Sequence, residues 1–359
     1  MRPKRPGTVV LSVALAIVFV VVLVQLGFSR HRLSHTLQPG SSATRGSLDL
    51  FSGSQADSNQ LSQALLTFQQ HSVLAEARSL SNQHTSITAK EHSVTIQQCQ
   101  PDLVKGQNEQ LAVLIAVRDR SLELEVLLPH LRQHLDRQGI QHHLWVVEQH
   151  GTEPFNRGFL LNIGFLAAAE DSNLSQYISL HDVDLLPTAG INYAFPRDEG
   201  FVHLAAELPE FNFAPPYPRF FGGASLVSSA LFQAVNGYSN EYWGWGGEDD
   251  DMALRLVRQV IGGWKSDDHF GSGNAVPRPA KGCGQFLEIN AARQPLSDQH
   301  WLANQQHFKR WAEAKQTDPA AEGLSTIQAW RDLLMAWRSD DRCTHLQVKL
   351  PEHLRPSRP

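Results

Sequence analysis

Leu111 to Val117 reads Leu-Ala-Val-Leu-Ile-Ala-Val, an apolar run with no polar position. A strand without alternation is apolar on both faces, so it belongs inside a sheet that is covered on both sides. The run ends at Arg118-Asp-Arg120. Ser121 to Arg137 then places Leu122, Val126, Leu127 and Leu131 at helical spacing. His143 to Glu148 is a second strand, Phe155 to Glu170 a second helix, and Gln176 to Leu180 a third strand. Strand and helix alternate, which predicts an α/β domain, a Rossmann-like, mostly parallel sheet flanked by helices. In such sheets ligands sit beyond the carboxyl ends of the strands. Three groups fall there: Arg118 with Arg120, Phe155 with Arg157, and His181-Asp-Val-Asp184.

The densest chemistry lies further on, in Glu241-Tyr-Trp-Gly-Trp-Gly-Gly-Glu-Asp-Asp-Asp251. Gly244, Gly246 and Gly247 suit a loop that bends or moves. Trp243 and Trp245 offer large flat rings beside clustered acids. That combination fits a sugar site, where an apolar ring face packs on indole and hydroxyls bond to carboxylates. The competing account is that Glu248 to Asp251 only decorate a helix N-terminus, where the dipole favours acids. Asp182 and Asp184 can project towards one cation bound to a polyphosphate, and hard oxygen ligands suit Mg²⁺ or Mn²⁺. Their alternative role is to cap a turn before Pro187. Arg118 and Arg120 offer permanently charged donors for phosphates, or else a solvated helix start.

The N-terminus is of another kind. Thr8 to Phe28 is nearly unbroken apolar sequence without charge, about long enough to span a bilayer. Arg2, Lys4 and Arg5 precede it, and Arg30 and Arg32 follow. An uncleaved signal anchor is the preferred account and a cleaved signal peptide the competitor, since no small-x-small site ends the run. From His31 to about Gln97 the chain is rich in Ser, Gln, Thr and His, which reads as a flexible stem with one helical stretch, Leu61 to Leu80. Asn173-Leu-Ser175 is a glycosylation acceptor if this side faces the secretory lumen. The net charge of −5 and pI near 6.4 give no basic footprint for nucleic acid. Cys99, Cys283 and Cys343 allow one bridge of unspecified pairing.

Phe155-Asn-Arg157, His181-Asp-Val-Asp-Leu-Leu-Pro187, Phe221-Gly-Gly223, Asn236-Gly237 and Trp243-Gly-Trp-Gly-Gly-Glu-Asp-Asp-Asp251 together carry a resemblance. Their order and spacing resemble the β-1,4-galactosyltransferases of glycosyltransferase family 7, nearer the xylosylprotein branch, from Leu111 to Leu256. Gly323-Leu-Ser-Thr326 is a weak echo of a C-terminal segment of that family. The resemblance implies a glycosyltransferase-A fold in a single-pass type II Golgi membrane protein, with its catalytic domain lumenal. It implies inverting galactose transfer from UDP-galactose to the 4-hydroxyl of an acceptor glycan, with Mn²⁺ (Mg²⁺ as the second choice). The acceptor would be xylose of a proteoglycan core, or N-acetylglucosamine on a glycan or glycoprotein. An N-acetylgalactosamine donor and a sugar-binding module without catalysis remain as alternatives.

Carried over residue by residue, Asp249 is the implied catalytic base. Asp184 is the implied metal ligand, with Asp182 near the ribose and metal. Arg118 and Arg120 approach the nucleotide, and Phe155 with Arg157 hold the uracil. Trp245 closes over donor and acceptor, and Glu248 and Asp250 bind sugar hydroxyls. Phe220 stands where the family has Tyr, which bears on the choice of donor sugar. The family also has a downstream His-bearing segment that supplies a further metal ligand. Here that stretch is Gly284-Gln-Phe-Leu-Glu-Ile-Asn290, which has no His. Glu288 is the replacement candidate, with His269 and His300 in reserve. The implied organisation is a cytoplasmic tail (1–7), a transmembrane anchor (8–28), a stem (29–98), a catalytic domain (99–343) and a disordered tail (344–359). Helices are expected over His300 to Lys315 and Thr326 to Ser339.

Overall fold

A computed structural model of the chain describes Cys99 and residues 110–171, 176–195, 200–260, 276–289, 298–313 and 322–354. The apolar segment 8–28, the stem up to residue 98, the Asn173 sequon and His269 lie outside the described residues. No helix among the described residues is long and apolar enough to cross a membrane.

The expected alternation opens the domain: β1 (Gln110–Val117), α1 (Ser121–Arg137), β2 (Gln141–His150), α2 (Arg157–Glu170) and β3 (Tyr177–Asp182). β4 (Leu185–Pro187), β5 (Phe201–His203), β6 (Ala224–Ser228) and a short α3 (Ser229–Ala234) follow. Then come α4 (Glu248–Val260), β7 (Phe286–Glu288), α5 (Asp298–Glu313), β8 (Leu334–Ser339) and β9 (Cys343–Lys349). The main sheet has the order β5-β6-β3-β1-β2-β9-β8, and β4 and β7 form a separate two-stranded ribbon.

β1 runs parallel to both β2 and β3, as expected of its unbroken apolar run. Its even residues, Ala112, Leu114 and Ala116, pack into one core with Phe159 and Ile163 of α2 and Leu256 of α4. Its odd residues, Leu111, Val113 and Ile115, pack into a second core with Leu127 and Leu131 of α1 and with the β4–β7 ribbon. Full burial of each Leu, Val, Ile or Phe among them contributes roughly 1.5–3 kcal/mol. Each face of the sheet therefore fixes one helix layer against it.

Three expectations are corrected. The sheet is mixed rather than mostly parallel, because β6 pairs antiparallel with β3 and β5, and β8 antiparallel with β9. The segment Thr326 to Ser339 is not a helix: short 3-10 turns lead into strand β8. The stretch from Thr344 is not a disordered tail, since β9 pairs in parallel with β2 inside the sheet, Leu144 opposite Cys343 to His150 opposite Lys349. Cys99 is bridged to Cys283, and Cys343 is a buried free thiol.

Candidate active site

The parallel register brings the carboxyl ends of β1, β2 and β3 together, with Val117 opposite Glu148 and Ala116 opposite Asp182. Asp182 closes β3, and its backbone N–H donates to the Gly223 carbonyl at 2.8 Å. Asp184 lies just beyond it, at the start of the ribbon. There Leu185 pairs with Glu288, and the Ile289 N–H donates to the Asp184 carbonyl at 2.7 Å. The ribbon thus sets Glu288 beside Asp184. The Glu288 carboxyl is pushed up from its ordinary value by burial and by Asp184. Burial also pushes up Asp184, against the pull of Arg120. Neighbouring hard-oxygen donors short of positive charge are a set that Mg²⁺ or Mn²⁺ fits.

Asn156 is fully buried and caps α2, accepting from the Phe159 N–H at 2.9 Å. That cap places Arg157 in the first turn, over the strand ends. Arg157 Nε donates to Asp182 Oδ1 at 2.7 Å, and its Nη1 donates to Asp249 Oδ1 at 2.7 Å. Tyr238 Oη donates to the same Asp249 oxygen at 3.1 Å. One guanidinium therefore ties the Asp-x-Asp turn to the acidic start of α4. Asp182 is pushed up by burial, opposed by Arg157, and raised further by Asp184 and Asp249. Glu248 is pushed up by burial and by Asp249. A Cβ at Gly222 would lie 3.1 Å from the Phe220 ring and 3.2 Å from Asp249 Oδ2. The glycine thus lets Phe220 and Asp249 approach each other.

The acids of α4 fan out because successive helical residues turn about 100°. Glu248 and Asp249 face Arg157, and Asp250 faces Arg219, whose Nε is 3.3 Å from Asp250 Oδ1. Asp251 points into the core, where it accepts from Arg255 Nε and, at 3.0 Å, from Tyr242 Oη. His307, Glu322 and Asp251 bring ligand atoms within 4.8 Å of one another. Arg255 already supplies the cation there, reaching Glu322 Oε1 at 3.3 Å, so this cluster is a structural ion network.

The tryptophan loop is built as its glycines suggest. Gly244, Gly246 and Gly247 all have positive φ, 71°, 92° and 98°. The Gly244 N–H donates to the Phe155 carbonyl at 2.7 Å. Asn304 of α5 donates to the carbonyls of Trp243 and Trp245 at 2.9 and 3.2 Å. Trp243 is buried, whereas Trp245 stands 53% exposed. His300 packs against Gly244 of this loop. Arg118 stacks over the Phe155 ring, 5.8 Å from its centroid, and donates to the Glu153 carbonyl. Arg120 pairs with Glu123 at 2.9 Å and acts electrostatically on Asp184. His181 is held neutral: burial lowers it to about 4, and it contacts Tyr193 Oη at 2.9 Å.

Sequence reasoning missed Tyr238 and Arg219. Tyr238 directly follows Asn236-Gly237 and Arg219 lies two residues before Phe221-Gly-Gly223, but an isolated Tyr or Arg carries no spacing signal of its own.

A metal-compatible carboxylate pair, an arginine-bridged acidic helix start and an exposed tryptophan loop share this α/β frame, and the chain belongs to glycosyl transferase group 7. The family model described as the N-terminal region of glycosyl transferase group 7 matches residues 62–194, and one described as the N-terminal domain of galactosyltransferase matches residues 202–286. The chain is 39% identical over 181 residues to mouse (Mus musculus) beta-1,4-galactosyltransferase 5, a match that covers 49% of this chain and 45% of that protein. It is 44% identical over 147 residues to mouse beta-1,4-galactosyltransferase 7, covering 41% and 43%. The chain thus spans about half the length of the curated relatives it matches. Among solved structures it resembles the catalytic domain of Drosophila beta-1,4-galactosyltransferase 7 in complex with xylobiose. That match has TM-score 0.52 and 29% identity, and covers 68% of this chain and 94% of that one. A mutant of the same Drosophila protein with manganese, UDP-Gal and xylobiose matches with TM-score 0.50 and 28% identity, covering 68% and 94%.

Proposed function

We propose that this chain transfers galactose from UDP-galactose to the 4-hydroxyl of an acceptor sugar, with inversion, and that a divalent cation supports the reaction. The observation that carries the proposal is the Arg157 bridge between Asp182 and Asp249, the carboxylates read as phosphate-side and acceptor-side. Asp184 and Glu288 hold Mn²⁺, or Mg²⁺ as second choice, and the bound ion supplies charge relief to the departing diphosphate. Arg118 and Arg120 approach the phosphates, and Phe155 offers a stacking face for uracil.

Asp249 is the base. Its Oδ1 is held by Arg157 and Tyr238, which leaves Oδ2 to take the proton of the acceptor hydroxyl. As that proton leaves, the hydroxyl oxygen bonds to the anomeric carbon and the bond from that carbon to the diphosphate breaks. Glu248 and Asp250 bind sugar hydroxyls, and Trp245 covers the sugars and excludes water. Arg157 stands between the two halves of the cleft, so its contribution is to hold Asp249 in place as well as to face the nucleotide.

Xylose of a proteoglycan core is the preferred acceptor, supported by the xylobiose complex of the Drosophila relative. N-acetylglucosamine is the second choice. Phe220 keeps a bulky ring near Asp249, at the position that bears on the choice between galactose and its N-acetylated relative as donor. Residues 8–28 are proposed as the signal anchor of a type II Golgi membrane protein. The test is turnover of UDP-galactose with Mn²⁺ and either a xyloside or an N-acetylglucosaminide. The parent chain is expected to transfer to the xyloside. Asp249→Asn is expected to lose about 10²–10⁴-fold in rate with UDP affinity unchanged. Full turnover by Asp249→Asn removes it from the base role, and sugar binding without any transfer favours a non-catalytic module.

A further inference from the structure

Arg219 takes no part in the transfer chemistry above, yet both its backbone and its guanidinium are held. Arg278 Nη2 donates to the carbonyls of Pro218 and Phe220, both at 2.8 Å, and so fixes the backbone on either side of Arg219. Arg278 Nε also donates to His203 Nδ1 at 3.3 Å, and His203 Nε2 bonds the Gly222 carbonyl at 2.8 Å. The strap from Pro218 to Gly222 is therefore held at three carbonyls. The Arg219 guanidinium lies between two rings, 5.3 Å from the Tyr217 centroid and 5.4 Å from that of Phe308. A cation over a ring face is attracted to it, and Arg takes this place more often than Lys. Its Nε lies 3.3 Å from the carboxylate of Asp250, which is buried.

Phe308 belongs to α5, one helical turn after Asn304. Residues four apart share a helix face. The face that clasps the Trp243 and Trp245 carbonyls thus also presents the ring on which Arg219 stacks.

We propose that Arg219 is a positioning residue for the acceptor: it sets the orientation of the Asp250 carboxylate, and its stack on Phe308 makes that orientation depend on α5 being seated. The proposal rests on the transferase reading, which gives Asp250 its place on the acceptor sugar. It makes Arg219 a determinant of acceptor affinity and not of donor affinity.

The experiment is steady-state kinetics on the parent chain, Arg219→Gln, Arg219→Lys and Phe308→Leu, with UDP-galactose and the xyloside varied separately. For Arg219→Gln the acceptor KM is expected to rise about tenfold while the UDP-galactose KM stays within about twofold. Arg219→Lys keeps the charge without the stack and is expected to fall between. Phe308→Leu is expected to raise the acceptor KM alone, by a smaller factor. An unchanged acceptor KM, or donor and acceptor KM rising together, overturns the proposal. Should the parent chain transfer no galactose, the transferase reading fails, and calorimetric xyloside binding decides the Arg219 question separately. Weaker binding by Arg219→Gln then supports the proposal; equal binding, or none by the parent, overturns it.

Discussion

Replacing Arg157 by Met keeps the aliphatic stem and removes the guanidinium that joins Asp182 to Asp249. Each contact is 2.7 Å, and the two carboxylates retain 31% and 23% of their side-chain exposure. A unit-charge pair about 4 Å apart is worth about 4 kcal/mol gross in an effective dielectric of about 20. Desolvation of the guanidinium cancels part of both contacts. Removing one partner of a buried pair costs about 3–5 kcal/mol net, and the residual solvent contact puts this site at the low end, about 3 kcal/mol. The loss has a pH signature. Burial already holds Asp182 above its ordinary value, and Arg157 is the largest influence pulling it down. Without Arg157 the folded-state value rises further above the unfolded one. A group so raised contributes stability below its unfolded pKa and loses it as pH rises through the folded value. The deficit of Arg157→Met against the parent is therefore expected to be largest near about pH 8 and to shrink towards about pH 5. Urea midpoints followed by tryptophan fluorescence measure it. A deficit below about 1 kcal/mol at the upper pH, the range of an exposed pair, or one that grows as pH falls, refutes the bridge.

Glu288→Gln is expected to raise the Mn²⁺ concentration for half-maximal transfer about tenfold, since a charged oxygen donor is lost beside Asp184; an unchanged metal titration clears Glu288 of ligation. Gly247→Ala places a Cβ 2.8 Å from the Tyr242 ring at a φ of 98°, and is expected to lower stability by about 2 kcal/mol. An unaltered melting temperature counts against the strained loop. Trp245→Ala removes a ring that is 53% exposed, so stability should stay within about 0.5 kcal/mol while acceptor KM rises about tenfold. A stability loss comparable to that of a core residue says that Trp245 is packed rather than poised.

The first half of the sheet was legible because its signals are local. Leu111 to Val117 is apolar throughout, and Leu122, Val126, Leu127 and Leu131 follow at helical spacing. The C-terminal strands were not. Met335 and Trp337 alternate on β8, but the aromatic and aliphatic residues around them also satisfy helical spacing. In β9, Leu346 and Val348 point inward with period two, but the stretch is short and runs into a Pro-rich end, so it reads as tail. At the site, Asp182, Asp184 and Asp249 stand out in the sequence by motif order, but the contact that joins Asp182 to Asp249 leaves no local pattern. It depends on Arg157 spanning 25 residues to Asp182 and 92 to Asp249. Glu288 stood out only by the absence of His. Its place beside Asp184 came from the β4–β7 pairing, which joins segments about a hundred residues apart, beyond any local pattern.

The position of β9 between β2 and β8 has a consequence for how the chain is made. While the polypeptide leaves the ribosome, β2 emerges about two hundred residues before the strand that completes its outer edge. Throughout that interval an interior strand rich in Val, Leu and Trp presents unpaired backbone groups, the kind of edge that recruits foreign strands. Nascent chains of this protein should therefore lean on chaperones until residue 349 is free, and a stop codon before Cys343 should leave aggregates rather than a shortened enzyme.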